Sequence, residues 1–157
     1  MKEQSTTHNT FVIERSYPAT PERVFAALAD PAKKRRWFAE ADTHDLIQFD
    51  MDFQVGGRER SRYRLRPGTP FPGVELASEG IYQDIVPNRR IVGAATMAIG
   101  GKVISAALTT FELLPTATGT DLIFTHQAAF FEGSDGPQMR EHGWQQLLNR
   151  LAADLAA

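Results

Sequence analysis

The pattern that most constrains the fold is one long amphipathic helix at the end of a strand-rich chain. From Pro137 to Ala156 the large apolar residues recur with the spacing of one helix face: Trp144, Leu147, Leu148, Leu151 and Leu155. From Leu46 to Ala128 the apolar residues instead follow a strand-like pattern that turn residues interrupt. A single helix that packs on a long antiparallel sheet often leaves space beneath it, so the sequence predicts a protein with a pocket.

Length and composition indicate the class of protein. At 157 residues the chain has the length of one domain, and we expect this domain to span residues 10–157 after a disordered leader at residues 1–9. The formal net charge of −2 gives no positive field for nucleic acid, and the lack of cysteine excludes disulfides and thiolate chemistry. Met1–Thr10 has no apolar segment like that of a signal peptide, and no stretch approaches the roughly 18 apolar residues of a membrane helix. We therefore expect a cytoplasmic protein with no membrane span and no nucleic-acid partner.

Capping and turn residues divide the chain into elements. After a first strand around Phe11, Thr20-Pro21-Glu22 has the threonine cap and the first-turn proline of a helix start. Asp30-Pro31 ends that helix and begins a second short one, because the residue before a proline avoids helical backbone. Strands follow, and Gly100-Gly101 between two of them is typical of a tight hairpin. Short connections favour an antiparallel sheet, so the predicted order is one strand, two helices, about six strands and the long helix.

Several groups of residues, in order along almost the whole chain, resemble the motifs of the START-like (SRPBCC, polyketide cyclase) superfamily. They are Pro21–Phe25, Trp37-Phe38, Val55–Glu59, Tyr82–Ile91, Gly119-Thr120, Thr125–Gln127 with Phe130, and Arg140–Trp144. More closely, the chain is similar to the branch homologous to the C-terminal domain of the activator of heat-shock protein 90 ATPase. The resemblance implies an α+β helix-grip fold, β-α-α-β6-α, in which a curved antiparallel sheet wraps around the long C-terminal helix.

The resemblance also implies a class of function. Members of the superfamily include lipid-transfer domains, polyketide cyclases and birch-pollen-allergen-like proteins. It thus implies a cavity between the sheet and the C-terminal helix for a small hydrophobic or amphipathic molecule, lipid or polyketide-like, and no cofactor. The residues that we expect to bind this ligand are Trp37, Phe38, Phe53, Glu59, Ser61, Tyr63, Tyr82, Met97, Phe124, His126, Phe130, Trp144 and Leu148. For each aromatic residue the alternative is an ordinary place in the core.

Arginines occupy every second position from 58 to 66, so on a strand they share one face. A dry core cannot hold so many charges, and we expect this face to meet solvent with Glu75 and Glu79 as cross-strand partners. The alternative is a docking stripe for a chaperone or another acidic protein partner, formed by Arg58, Arg60, Arg62 and Arg64. We also expect the basic run Lys33–Arg36 to be a solvated helix face.

The same alternation turns Glu59 and Tyr63 inward, and His126 lies on a plausible inner face of a later strand. The sequence therefore predicts a polar end of the cavity formed by these three residues. Three interpretations stay open: a structural hydrogen-bond network, recognition of a ligand's oxygen, or general acid–base catalysis by Glu59 and His126. The four histidines show no metal-ligand spacing, so we expect no metal site.

Three functions follow from these observations. Binding of a hydrophobic ligand is favoured, with the Pro67–Gly73 loop and the N-terminal end of the last helix bordering the entrance. The second is an enzyme of the polyketide cyclase or aromatase type that uses Glu59 or His126 as the base. The third is a co-chaperone-like interaction module that uses the arginine stripe. A monomer and a homodimer are both compatible with the sequence.

Overall fold

The strands form one antiparallel sheet in the computed structural model, which describes residues 6–69 and 71–157. They are β1 (Thr7–Tyr17), β2 (His44–Met51), β3 (Arg58–Leu65), β4 (Glu75–Val86), β5 (Arg90–Ile99), β6 (Lys102–Pro115) and β7 (Thr120–Phe130). Across the curved sheet their order is β1-β7-β6-β5-β4-β3-β2. The strands β2 to β7 thus form a meander, and β1 pairs with the last strand.

Helices come before and after the meander. They are α1 (Pro21–Ala29), α2 (Pro31–Lys34), which continues into a π-helical turn (Arg35–Ala39), and α3 (Gly136–Ala156). This order confirms the predicted α+β helix-grip fold. One boundary was wrong: β1 begins at Thr7, so residues 7–9 of the expected leader belong to a strand, while residues 1–5 lie outside the described residues. Within the described residues, no helix is long and apolar enough to cross a membrane.

The short helices begin as their capping residues predict. The hydroxyl of Thr20 accepts a hydrogen bond from the N–H of Arg23 at 3.3 Å. Asp30 has extended backbone between α1 and α2, and its carboxylate accepts from two N–H groups in the first turn of α2. The π-helical turn has no signal in the sequence pattern. It carries Trp37, which is buried and donates from Nε1 to the carbonyl of Ala27 at 2.8 Å.

The predicted apolar face of α3 packs into the core. Leu148 and Leu151 are fully buried, and the other large residues of that face pack partly buried against the same cluster. From β1, the hydroxyl of Tyr17 donates to the backbone carbonyl of Leu148 at 2.9 Å. Burial raises the pKa of Tyr17 to about 12, so this hydroxyl remains a donor at neutral pH. The C-terminal half of α3 is thereby fixed to the β1 edge of the sheet.

The arginine face of β3 meets solvent, as predicted. Arg60 pairs with Glu79 at 3.7 Å and Arg62 pairs with Glu75 at 3.0 Å, both across the β3–β4 register. Ion pairs this exposed contribute at most about 1 kcal/mol each. The arginines therefore need no ligand or partner to explain their position.

Gly119 provides a test of how closely the β6–β7 turn packs on the chain that leaves β1. A β-carbon at this position would lie 2.0 Å from the carbonyl oxygen of Tyr17 and 2.9 Å from the nitrogen of Ala19. Because these are backbone atoms, they cannot rotate away. We expect Gly119→Ala to lower the free energy of unfolding by at least about 2 kcal/mol, measured by chemical denaturation.

Gly143→Ala is the matched control. Gly143 lies within α3, and a β-carbon there would meet no atom within 4 Å. Alanine is the better helix former by about 1 kcal/mol, so this variant should be at least as stable as the wild type. Equal stability of the two variants would contradict the close approach at Gly119.

Candidate functional site

A cavity of about 600 Å³ lies between the inner face of the sheet and the N-terminal half of α3. Strands β3 to β7 form one wall, α3 forms the opposite wall, and the end of the π-helical turn with the loop after it forms a side. Pockets that bind small molecules usually measure about 300–1,000 Å³. The space is therefore large enough for a molecule of several rings or a short lipid.

The cavity exists because small side chains occupy the middle of the sheet's inner face. Ser61 lies directly opposite Ser78 on β4, and Ser105 and Ala107 on β6 continue this surface. On the helix, the exposed Gly143 borders the same space at its entrance. Since the backbone of the sheet is fixed by its own hydrogen bonds, the wall cannot collapse to fill the gap. The void thus follows from side-chain volume at a few positions.

The entrance is marked by lining residues that are also exposed. Asp42 and Thr43 lie on the loop before β2, and Met139, which is 47% exposed, lies on the first turns of α3. The N-terminal end of α3 borders the opening, as expected. The Pro67–Gly73 loop does not, because none of its described residues lines the cavity.

A buried ion pair forms one end of the cavity. Arg140 is only 7% exposed, and its Nε and Nη2 donate to the two carboxylate oxygens of Asp135 at 2.7 and 2.8 Å. Nη2 also donates to the hydroxyl of Ser105 at 3.0 Å, and the guanidinium lies over the ring of Phe130. Burial acts to raise the pKa of Asp135, but Arg140 outweighs it and holds the pKa below its ordinary value. The pair is therefore ionised at neutral pH.

Tyr63 and His126 lie beside this pair. Burial raises the pKa of Tyr63, so its hydroxyl stays protonated, and it makes no hydrogen bond to any of the described residues. His126 is 1% exposed and stacks on Phe11, with ring centroids 4.6 Å apart. Burial, aided by the charge of Arg140, lowers the pKa of His126 to about 4. The ring is thus neutral at physiological pH, and its buried Nδ1 has no partner among residues 6–69 and 71–157.

Glu59 does not join Tyr63 and His126, contrary to the prediction. Its Oε1 accepts from Lys34 Nζ at 2.6 Å and also from the hydroxyl of Tyr82. Together they border a separate cavity of about 60 Å³. Glu59 and Tyr63 lie four residues apart on β3, and this spacing separates them by about 13 Å. Lys34, at the end of α2, provides the positive charge that pairs with Glu59. The expectation that Lys33–Arg36 forms a solvated helix face was wrong at Lys34, which pairs with Glu59 and is only 7% exposed.

The structure separates the residues that we expected to bind a ligand into two groups. Those on the wall of the large cavity are Phe38, Ser61, Tyr63, Met97, His126 and Trp144. The remainder lie elsewhere: Trp37, Phe124, Phe130 and Leu148 in the core, Phe53 against the core, and Glu59 and Tyr82 at the smaller cavity. The aromatic residues of this second group contact other side chains of the core instead of lining the large cavity.

Sequence reasoning missed Asp135 and Arg140 as site residues. The available signal was the position of Arg140 one turn before Trp144, on the apolar face of α3. A charged residue on such a face is buried only with a partner. Asp135 precedes the helix, and no sequence pattern singled it out.

The family model described as Activator of Hsp90 ATPase homolog 1-like protein matches residues 18–156. The chain belongs to this family. Proteins of the Activator of Hsp90 ATPase homolog 1-like family generally bind hydrophobic ligands. No curated protein matches the chain significantly.

Solved structures agree with this assignment. Mll3558 from Rhizobium loti is 46% identical, with a TM-score of 0.85 over 96% of this chain and 99% of that one. A protein from Rhizobium leguminosarum is 37% identical, with a TM-score of 0.88 over 97% of each chain. DynU16, a protein in the dynemicin biosynthetic locus, is 18% identical with a TM-score of 0.65, over 94% of this chain and 47% of DynU16. DynU16 therefore shares the fold alone.

The buried neutral histidine predicts a specific acid sensitivity. The pKa of His126 lies near 4 in the folded protein and at 6.5 when exposed, so the unfolded chain binds a proton first and stability falls as pH drops from about 6.5 to 4. The wild type should lose about 3 kcal/mol over this range through His126. His126→Phe keeps an aromatic ring beside Phe11 and should remove that slope, measured by denaturation at several pH values.

The control is His142→Gln, which changes an exposed histidine and should keep the wild-type slope. If His126→Phe loses stability with acid as steeply as the wild type, the histidine is not held neutral by burial.

The Lys34–Glu59 pair predicts a loss of stability when one partner is neutralised. Glu59→Gln leaves Lys34 without a counter-charge in a buried position and should lower the free energy of unfolding by about 2–3 kcal/mol. Combining Glu59→Leu with Lys34→Met removes both charges and should restore part of this loss. Denaturation curves of the two variants measure the difference, and a double variant that is less stable than the single one would contradict the argument.

Proposed function

We propose that the protein binds a small hydrophobic or amphipathic molecule in the cavity beneath α3. The observation that carries the proposal is the open space of about 600 Å³, which small residues on the sheet and Gly143 on the helix leave unfilled. The general binding of hydrophobic ligands in the family supports it. The presence of a protein of this fold in a biosynthetic locus is compatible with it.

Apolar burial would supply most of the affinity. Phe38, Met97, Trp144 and Leu147 offer apolar surface around the space. A ligand that buries roughly 300 Å² of apolar surface gains about 7 kcal/mol before the costs of association. That gross gain corresponds to a dissociation constant of about 10 μM, and the costs of association weaken the binding from this limit.

The two acid–base candidates support binding rather than catalysis. Glu59 is engaged by Lys34 and Tyr82 and lines the smaller cavity rather than the large one. With its pKa lowered to about 4, His126 is a weak base near neutral pH. The arginine stripe gives the interaction-module alternative little support, since Arg60 and Arg62 already have carboxylate partners.

Filling the cavity entrance tests the proposal. A side chain added at Gly143 meets no atom within 4 Å at its β-carbon, so Gly143→Phe can project into the space without disturbing the backbone. We expect the wild type to bind the neutral fluorescent probe N-phenyl-1-naphthylamine in one-to-one ratio. Gly143→Phe should weaken this binding at least about tenfold, a loss of roughly 1.4 kcal/mol.

Asn149→Phe is the control for this experiment. Asn149 lies on the exposed side of the same helix and does not line the cavity, so the added ring should leave probe binding unchanged. Equal binding by Gly143→Phe and the wild type would show that the probe binds somewhere else. A wild type that binds neither this probe nor apolar compounds of similar size would refute the proposal.

A further inference from the structure

The buried Arg140–Asp135 pair is the feature of the cavity that general hydrophobic binding does not require. A buried ion pair seldom stabilises a fold more than apolar residues of the same volume would. Asp135 also occupies the cap position of α3, yet its side chain makes no capping hydrogen bond to the helix. Both of its oxygens instead accept from Arg140. The side chain of Asp135 thus holds the guanidinium of Arg140 at the cavity wall instead of capping the helix.

The positive charge of Arg140 is already matched inside the protein. Each carboxylate oxygen of Asp135 lies within 2.8 Å of a guanidinium nitrogen, so the pair has no net charge. His126 beside it is neutral, because burial and Arg140 keep its pKa near 4. Arg150 also lines the cavity, but about 15 Å further along α3, where its guanidinium donates to the backbone carbonyl of Arg36 at 3.1 Å. The end of the cavity at Arg140 therefore offers no unbalanced positive charge.

Hydrogen-bond donation is what the site still offers. Nε and Nη2 of Arg140 are engaged by Asp135 and Ser105, while Nη1 donates to no group among the described residues. The protonated hydroxyl of Tyr63, close enough to feel the charges of Arg140 and Asp135, has no partner within the same residues. The guanidinium is more than nine-tenths buried, so an oxygen in the cavity is the acceptor that its free N–H groups lack.

Building on the proposed function, we propose that the cavity selects an uncharged amphipathic molecule whose carbonyl or ether oxygen accepts hydrogen bonds from Arg140 Nη1 and the Tyr63 hydroxyl. A carboxylate of the same shape is disfavoured. At this end of the cavity its charge would lose water and lie near the carboxylate of Asp135, while the charge of Arg140 is already balanced by that carboxylate. The site would thus discriminate by charge against fatty-acid-like anions and in favour of neutral ketones, esters or ethers.

Three probes of nearly equal shape separate the possibilities: 2-acetylnaphthalene, 2-ethylnaphthalene and 2-naphthoate. The first has a neutral acceptor oxygen, the second has none, and the third is an anion at pH 7. We expect the ketone to bind at least about tenfold more tightly than the hydrocarbon, and the carboxylate to bind at least about tenfold more weakly than the ketone. Titration calorimetry or displacement of a fluorescent probe gives the three dissociation constants.

Two variants test whether Tyr63 and the Arg140–Asp135 pair cause the preference for a neutral oxygen acceptor. Tyr63→Phe removes only a hydroxyl, and should lower the affinity for the ketone about fivefold or more without changing that for the hydrocarbon. Asp135→Asn uncovers the charge of Arg140, and should shift the preference toward 2-naphthoate at least about tenfold relative to the ketone. Circular dichroism verifies that each variant is folded, and Tyr63→Phe remains informative if Asp135→Asn is not.

The outcomes separate this inference from the proposed function. If the hydrocarbon binds as tightly as the ketone, or the carboxylate binds as tightly as the ketone, selection for an uncharged acceptor is overturned while ligand binding stands. If Tyr63→Phe lowers the affinity for the ketone and the hydrocarbon equally, the hydroxyl does not recognise the oxygen. If none of the probes binds, the proposed function fails and the inference fails with it.

Discussion

The attachment of the C-terminal half of α3 to the β1 edge of the sheet determines the rest of the architecture. Leu148 and Leu151 are buried without residual exposure, and the Tyr17 hydroxyl fixes the helix backbone at Leu148. Once this half is fixed, the direction of the helix carries its N-terminal half over the middle of the sheet. There the facing side chains are small, so the helix spans the surface instead of filling it. The cavity is a consequence of where the helix is held and where it is not.

Two buried ion pairs lie at the inner face of the sheet, and they border spaces of very different size. Lys34 and Tyr82 both donate to the same oxygen of Glu59, beside a cavity of about 60 Å³. The Arg140–Asp135 pair balances its own charge and borders the cavity of about 600 Å³. Only the larger space reaches the usual size of a small-molecule pocket, about 300–1,000 Å³. The difference in volume explains why the large cavity, and not the small one, is the better candidate for a ligand.

Most of the fold, but only part of the candidate site, could be predicted from the sequence. Alternation, proline and glycine positions were enough for the element order, because backbone preferences act locally. The pairing of the solvent-facing Arg60 with Glu79 was equally predictable, since the strand register places these two residues opposite each other. The pairing of Glu59 with Lys34 was not, because it depends on how a short helix docks across the sheet. The void itself depends on residues distant in sequence, such as Ser61 and Ala107, becoming neighbours in space.

The separation between the residues that hold the fold and those that shape the void has an evolutionary consequence. Stability depends on large side chains at the β1 edge, such as Leu148 and Leu151, while cavity volume depends on Ser61, Ser78, Ala107 and Gly143. Each set can therefore vary with little penalty to the other. A lineage built on this scaffold can change the volume of the cavity by one or two substitutions on the sheet wall, without passing through an unfolded intermediate.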